Sequence, residues 1–345
     1  MKKKIYINAR FLTQQTTGVQ RFAIEICKEL FKVNPNVKLI APRNILHPIL
    51  EKELNVHTFG LFSSHLWEQI ELPLFLFKQG NPLLLNLCNT GPVFYKNQLV
   101  TIHDLAFIVN PTWFSKSFSA LYNFLIPRIA KNSKHIFTVS IASKNEILQL
   151  LGIAENKISV VYNGVNFKNY GPKPPLESGK YLLSVSSIDP RKNIPFLIEA
   201  FSEWNSADYK LLIAGGKSNS FAIQNINESE NIKFLGYVSD EDLVNLYQNA
   251  EAFVYPSLYE GFGLPPIEAL SLGTKVIISD IPSLREVCGS QAFAYFNPQS
   301  KTELISAFDL LRNIKNETKN ESDITRFSWQ KSASEINNFL IRFAE

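Results

Sequence analysis

YEGFGLPPIEAL, residues Tyr259 to Leu270, sets two glutamates eight positions apart around two glycines and two adjacent prolines. The apolar run AFVYPS just before it reads as a strand, and PPIEALSLG reads as a helix. Pro265 and Pro266 suit a first helical turn, where their missing N–H groups would have no partner anyway. KVIISD then follows as a second apolar run. Strand, helix, strand is the βαβ unit, and apolar runs without alternation are those of a parallel sheet buried on both faces.

Working outward, the same series extends through the second half: KYLLSVSS, a helix near NIPFLIEAFSEW, KLLIAGG, NIKFLGYV and the helix EDLVNLYQNA. Upstream lies FKNYGPKPPLESGK, Phe167 to Lys180, with three prolines, two glycines and few apolar residues. It reads as an interdomain linker. Before it a first series runs from the strand KKIYIN through VKLIA, LLLNLC, LVTIHDL, HIFTVS and ISVVYNG, with helical stretches such as SHLWEQIELPLFLFK and SFSALYNFLIPRIAKN between. The first helix carries Val19, Phe22, Ala23, Ile26, Cys27, Leu30 and Phe31 on one face. A chain of 345 residues, 45% hydrophobic, exceeds one ordinary core. The expectation is an α/β protein of two Rossmann-like parallel-sheet domains facing across a cleft, where ligands meet the carboxyl ends of strands. Residues 1–168 form the first domain, 169–179 the linker, 180–326 the second domain and 327–345 a closing helix.

Three features of the second domain carry chemistry. Gly261 and Gly263 let backbone approach a ligand closely, and the N–H groups of Gly263 and Leu264 open a helix, a place that favours phosphate. Glu260 and Glu268 flank that anion site. Carboxylates repel phosphate, so they suit hydroxyl groups instead; hydroxyls on both sides of a diphosphate describe a nucleotide-sugar. The rival reading is a helix cap with dipole-favoured glutamates. In VSSIDPRKNI, Arg191 and Lys192 offer a bidentate guanidinium and a point charge for a diphosphate, the rival being a solvated turn. In the first domain, His103 of TIHDLAF stands at a strand end and could donate to a sugar hydroxyl, or could be a buried histidine satisfied by a neighbour. Gly18, at the first strand–helix turn, is another point of close phosphate approach.

Other classes are excluded or discounted. SDEDL, Ser239 to Leu243, matches a metal-binding D-x-D pattern but reads as a capped helix start with Ser239 as N-cap, so no metal is assigned. Neither G-x-G-x-x-G after the first strand nor a P-loop is present. Cys27, Cys88 and Cys288 lack metal-ligand spacing and read as free thiols of a reducing compartment. MKKKIYINAR lacks the apolar core of a signal peptide, and no apolar stretch is long enough to span a bilayer. A cytoplasmic protein is expected. Residues 1–170 hold 19 Lys and Arg against 9 Asp and Glu, a surplus of +10, whereas the remainder holds 16 against 22, or −6. A basic first half implies an anionic partner there, or merely solvated lysines. No nucleic-acid-binding motif accompanies it.

At this point the E-x7-E motif of Glu260 and Glu268, the SSIDPRKN turn, the HDL segment and the VYNGV strand end together resemble glycosyltransferase family 4, with its GT-B fold. The likeness covers nearly the whole length. INARFLTQQTTGVQRFA and LWEQIELP further resemble bacterial members that build O-antigen or other surface polysaccharides. The resemblance implies that Glu260 contacts the transferred sugar and Glu268 the nucleotide ribose. It implies that Arg191 and Lys192 neutralise the diphosphate, and that the amides of Gly263 and Leu264 meet its distal phosphate. It places His103 near the donor sugar, and Gly236 and Tyr237 by the base. Gly18 matches the glycine loop near the phosphates, although many relatives carry two glycines where this chain has Thr17-Gly18. The segment SWQKSASEINNFLIRF matches the helix that crosses back onto the first domain.

The implied activity is a retaining transfer of a hexose, mannose by first choice, from a nucleoside diphosphate sugar to a lipid-linked saccharide. No metal or other cofactor is implied. The basic domain would bind the acceptor and dock peripherally on an anionic membrane, at the inner face of the cytoplasmic membrane. The alternatives are a nucleotide-sugar 2-epimerase and a non-catalytic binder of nucleotide-sugar or polysaccharide.

Overall fold

The computed structural model describes residues 4–165, 174–187, 189–216, 230–314 and 324–344. The chain divides into two compact units, residues 1–164 with 327–345 and residues 165–326. Of the expected linker, residues 169–173 lie outside the described residues. Residues beyond them pack on the second unit: the Leu176 N–H donates to Asn245 Oδ1 at 3.1 Å, and Lys233 Nζ meets Glu177 at 2.9 Å.

The first unit holds seven strands: β1 Ile5–Asn8, β2 Val37–Ala41, β3 His57–Thr58, β4 Leu83–Asn86, β5 Gln98–Thr101, β6 His135–Thr138 and β7 Ile158–Val160. Every pairing is parallel, in the order β3-β2-β1-β4-β5-β6-β7. β1, β4, β5 and β6 are buried at every position, which is why their sequences show no alternation. One face packs Val100, Ile102 and Ile136 against Leu125, Ile126 and Ile129 of the helix Lys116–Asn132. The other packs Tyr6, Ile40 and Leu84 against Trp67, Leu72 and Leu76. The C-terminal helix Trp329–Ala344 belongs to this unit and lies against the helix Gly18–Val33. Trp329 meets Phe22 edge-on at 6.0 Å, and Phe339 stacks on His135 at 4.4 Å. A Cβ on Gly164 would stand 2.3 Å from the Trp329 nitrogen, so only glycine lets the chain pass there.

The second unit holds β8 Lys180–Val185, β9 Tyr209–Ala214, β10 Ile232–Gly236, β11 Ala252–Tyr255, β12 Val276–Ser279 and β13 Ala294–Phe296. These are again all parallel, in the order β10-β9-β8-β11-β12-β13. Leu197, Phe201 and Trp204 of the helix Ile194–Trp204 cover Leu182, Leu211 and Val254 together with Phe308. In both sheets the strand order therefore reverses once, between β1 and β4 and between β8 and β11. Such switch points are where open parallel sheets hold ligands, beyond the strands' carboxyl ends. Two Rossmann-like sheets of this kind make a GT-B fold.

Three elements depart from the sequence pattern. β3 and β13 are short strands that no apolar run announces. The stretch SHLWEQIELPLFLFK is not one regular helix: Ser64–Leu66 leads into a π-helical turn, Trp67–Glu71, before Leu72–Lys78 resumes. Cys27, Cys88 and Cys288 are free, and burial pushes the Cys88 thiol up to about 12.

Candidate active site

The second unit's switch point is built by the loops after β8 and β11. After β8, the Asp189 carboxylate accepts the Arg191 N–H at 2.9 Å and starts a short turn, Pro190–Lys192. Asn193 closes that turn at φ 56° and begins the helix Ile194–Trp204. After β11, the Leu258 N–H donates to the Arg191 carbonyl at 2.7 Å. That bond ties the two loops and lets Lys192 and Glu260, 68 positions apart in sequence, meet.

Lys192 is the centre of the result. Its ammonium donates to Glu260 Oε1 at 2.5 Å and to the Tyr255 hydroxyl at 2.7 Å. The Lys192 and Glu260 side chains are 15% and 11% exposed. Burial would lower the lysine's pKa, but Glu260 and Tyr255 hold it well above the ordinary range. Burial would likewise raise the Glu260 carboxyl, yet Lys192 and then Arg191 hold it below its usual value. Both stay charged. Burial raises Tyr255, and Glu260 adds to that, so its hydroxyl stays protonated. The Arg191 guanidinium forks onto Asp189, with Nη2 at 2.8 Å. Asp189 was not anticipated as its partner; the D-P-R spacing was the available signal.

Gly263 stands at φ 99° as the N-cap of the helix Leu264–Ser271. A Cβ there would lie 2.5 Å from Leu284 Cδ2, so glycine is required twice over, by backbone angle and by space. The N–H groups of Gly263 and Leu264 make no hydrogen bond among the described residues. Pro265 and Pro266 bring none, so this helix start offers two amides to an anion. Glu268 lies within the helix, 6% exposed, and accepts from the Tyr247 hydroxyl at 3.3 Å. Tyr247 comes from the helix Asp240–Asn249, whose start is capped as expected: Ser239 Oγ accepts the Asp242 N–H at 3.1 Å.

β10 ends at Gly236, at φ 68°, whose carbonyl accepts the Gly215 N–H at 2.7 Å. The Tyr237 side chain beyond it is 88% exposed. Gly215 passes so close to Ser186 that a Cβ would overlap its carbonyl oxygen. The Ser186 hydroxyl is buried and without a partner among the described residues. Sequence reading missed Ser186, Gly215, Tyr247 and Tyr255; the paired glycines of KLLIAGG were the only local sign.

His103 and Gly18 lie in the first unit. Gly18 is exposed and opens the helix Gly18–Val33, where the Thr17 N–H donates to Gln20 Oε1 at 3.1 Å. His103 is buried just past β5, edge-on to Phe22 at 4.9 Å. Its Nε2 lies 2.8 Å from the Leu87 carbonyl, which only accepts, so the proton is on Nε2. Burial lowers its pKa, so the ring is neutral. The expected donation from His103 to a sugar hydroxyl is thereby corrected: Nε2–H is spent on Leu87, and Nδ1 offers a lone pair.

Comparison with known proteins follows the same two-part division. A family model described as glycosyl transferases group 1 matches residues 167–324, and one described as glycosyltransferase family 4 matches residues 16–169. The O-antigen chain mannosyltransferase RfbU of Salmonella typhimurium is 33% identical over 274 residues, covering 78% of this chain and 71% of that protein. The O-antigen chain mannosyltransferase B of Escherichia coli is 29% identical over 279 residues, 72% of each chain. Among solved structures, HepE of Anabaena in complex with UDP-glucose superposes with a TM-score of 0.68 at 16% identity, covering 99% of this chain and 98% of that one.

Proposed function

Because the chain belongs to glycosyltransferase family 4, we propose that it transfers a hexosyl group with retention from a nucleoside diphosphate sugar to a lipid-linked saccharide hydroxyl. The product would serve a bacterial surface polysaccharide. The mannosyltransferase names of the two relatives favour mannose as the sugar. The observation that carries the reading is the buried Lys192–Glu260–Tyr255 cluster beside a helix start with two unbonded amides.

In this reading the departing diphosphate is met by Lys192, by Arg191 and by the Gly263 and Leu264 amides. Charge developing on the leaving oxygen falls among donors already fixed in place, which is electrostatic preorganisation. The bond from the anomeric carbon to that oxygen breaks, and the acceptor oxygen bonds to the same carbon from the same face. The acceptor's proton passes to the departing phosphate oxygen, so no enzyme nucleophile is used. Diphosphate oxygens would compete with Asp189 for the Arg191 fork. Glu260 accepts from a hydroxyl of the sugar and Glu268 from the ribose, with Gly236 and Tyr237 at the base. The cations are side chains, so the transfer needs no metal.

The first unit would bind the acceptor and touch an anionic membrane surface. Among the described residues, no helix is long and apolar enough to cross a membrane. The +10 surplus of residues 1–170 and the exposed Ile49, Leu61 and Phe94 support a peripheral contact.

A thermal-shift screen against UDP-, GDP-, dTDP- and CMP-sugars in EDTA tests the donor site. One nucleotide class should raise the midpoint, since a ligand held only by the folded state stabilises it. No shift with any of them, with or without Mg²⁺, would overturn the reading.

A further inference from the structure

The first sheet has a switch point of its own, between β1 and β4, and a buried charged cluster sits there that the proposed transfer does not use. Arg10, just past β1, is 5% exposed at its side chain, and Glu68 is 1% exposed. Arg10 Nε donates to Glu68 Oε1 at 3.0 Å, Asn8 Nδ2 donates to the same oxygen at 2.8 Å, and the Thr90 hydroxyl donates to it at 3.1 Å. Thr90 in turn accepts from Arg10 Nη2 at 2.8 Å. One carboxylate oxygen is thus saturated. Among the described residues the other, Oε2, meets longer contacts: His65 Nδ1 at 3.3 Å and Gln69 Nε2 at 3.5 Å.

Burial would raise the Glu68 carboxyl, but Arg10 and then His65 and Asn8 hold it down at about 2. Glu68 is therefore an acceptor only, and His65 Nδ1 must carry the proton toward it. With that proton on Nδ1, Nε2 is the ring nitrogen left for a ligand. The His65 side chain is 24% exposed, and Nε2 has no hydrogen-bond partner among the described residues. Tyr122 stands edge-on to His65 at 5.9 Å and carries Phe118 stacked on it at 3.9 Å.

Stability is a weak reason for this arrangement. Burying an ion pair is often no better than apolar packing of the same volume. Glu68 also sits in the π-helical turn Trp67–Glu71, and such turns are frequent at functional sites. A charge-balanced pair beneath one open ring nitrogen suits a neutral, hydroxyl-bearing ligand. A phosphate would meet Glu68 and a lone pair.

We propose that this cluster is a saccharide subsite of the first unit, in which His65 Nε2 accepts from an acceptor hydroxyl. Glu68 is the positioning residue that fixes the His65 tautomer, and Tyr122 walls the site with an apolar ring. The inference rests on the reading that the acceptor is a saccharide. Nothing in it depends on the nucleotide site.

The test is calorimetric titration of the full chain with octyl α-glycosides of mannose, galactose, glucose and rhamnose, with GDP and UDP titrated into the same preparations. Wild type should bind at least one glycoside. His65→Ala should weaken it about tenfold, the value of one hydrogen bond near 1.4 kcal/mol. His65→Gln, whose amide reaches the Nε2 position, should restore binding to within about threefold, and nucleotide binding should not move. Glu68→Gln presents an amide donor to His65. ¹⁵N shifts should then move the His65 proton from Nδ1 to Nε2 while glycoside binding falls. Equal glycoside binding by wild type and His65→Ala overturns the subsite, as does a wild type that binds nucleotide but no glycoside. A wild type that binds neither overturns the transferase reading and the subsite with it.

Discussion

Glu260 and Tyr255 hold the Lys192 ammonium in place and charged, ready for the diphosphate of the proposed transfer. Lys192→Ala should lower kcat at least ~100-fold, by analogy with removing one oxyanion donor. Steady-state turnover, with the thermal midpoint measured alongside, checks this; activity within a few-fold of wild type would refute the role. The midpoint is needed because the variant leaves Glu260 buried and unpaired. Glu260 has its pKa depressed in the fold, so its stabilisation is complete above the ordinary carboxylate range and fades as pH falls through the lowered value. Gly263→Ala should destabilise the protein by about 1–3 kcal/mol in urea, from the positive φ and the contact with Leu284 together. The glycines, the glutamates and the Arg–Lys pair were legible because each sits in a local turn with its own composition. Tyr255 and Tyr247 were not, since they act on residues distant in sequence. The proton on His103 depended on a carbonyl that no motif encodes.

Elements were legible in proportion to their length and burial. The long strands announced themselves as apolar runs, and the Ser239 cap as a serine before three acids. β3 and β13 have two and three residues, too few for any pattern. The π-helical turn kept a helical composition, because one extra residue per turn changes geometry without changing residue type. The C-terminal helix shows how one side chain can carry an element. Trp329 is 6% exposed, meets Phe22 and lies over Gly164. Trp329→Ala should cost about 3–5 kcal/mol, the range for emptying a large aromatic site. Denaturant unfolding checks it, and a loss under 1 kcal/mol would mean the helix is held elsewhere.

At the scale of the molecule, two sheets share one strand order but differ in surface. Among the described residues, seventeen of the twenty large apolar side chains left exposed lie in the first unit, the same part of the chain that carries the basic surplus. Binding to vesicles of anionic lipid should therefore be strong in low salt and weaken as salt rises, because exposed charges are screened beyond about 8–10 Å at 0.1–0.15 M. Sedimentation with vesicles measures this, and binding that ignores salt would refute docking by charge. The twofold plan was legible from the restart of the strand–helix series. The division itself has a further consequence, because the first unit closes only with residues 327–345. During synthesis the second unit emerges whole before the last helix of the first is made. The first unit must then wait, with the seat of Trp329 uncovered, until that helix is made, so the part begun first closes after the second.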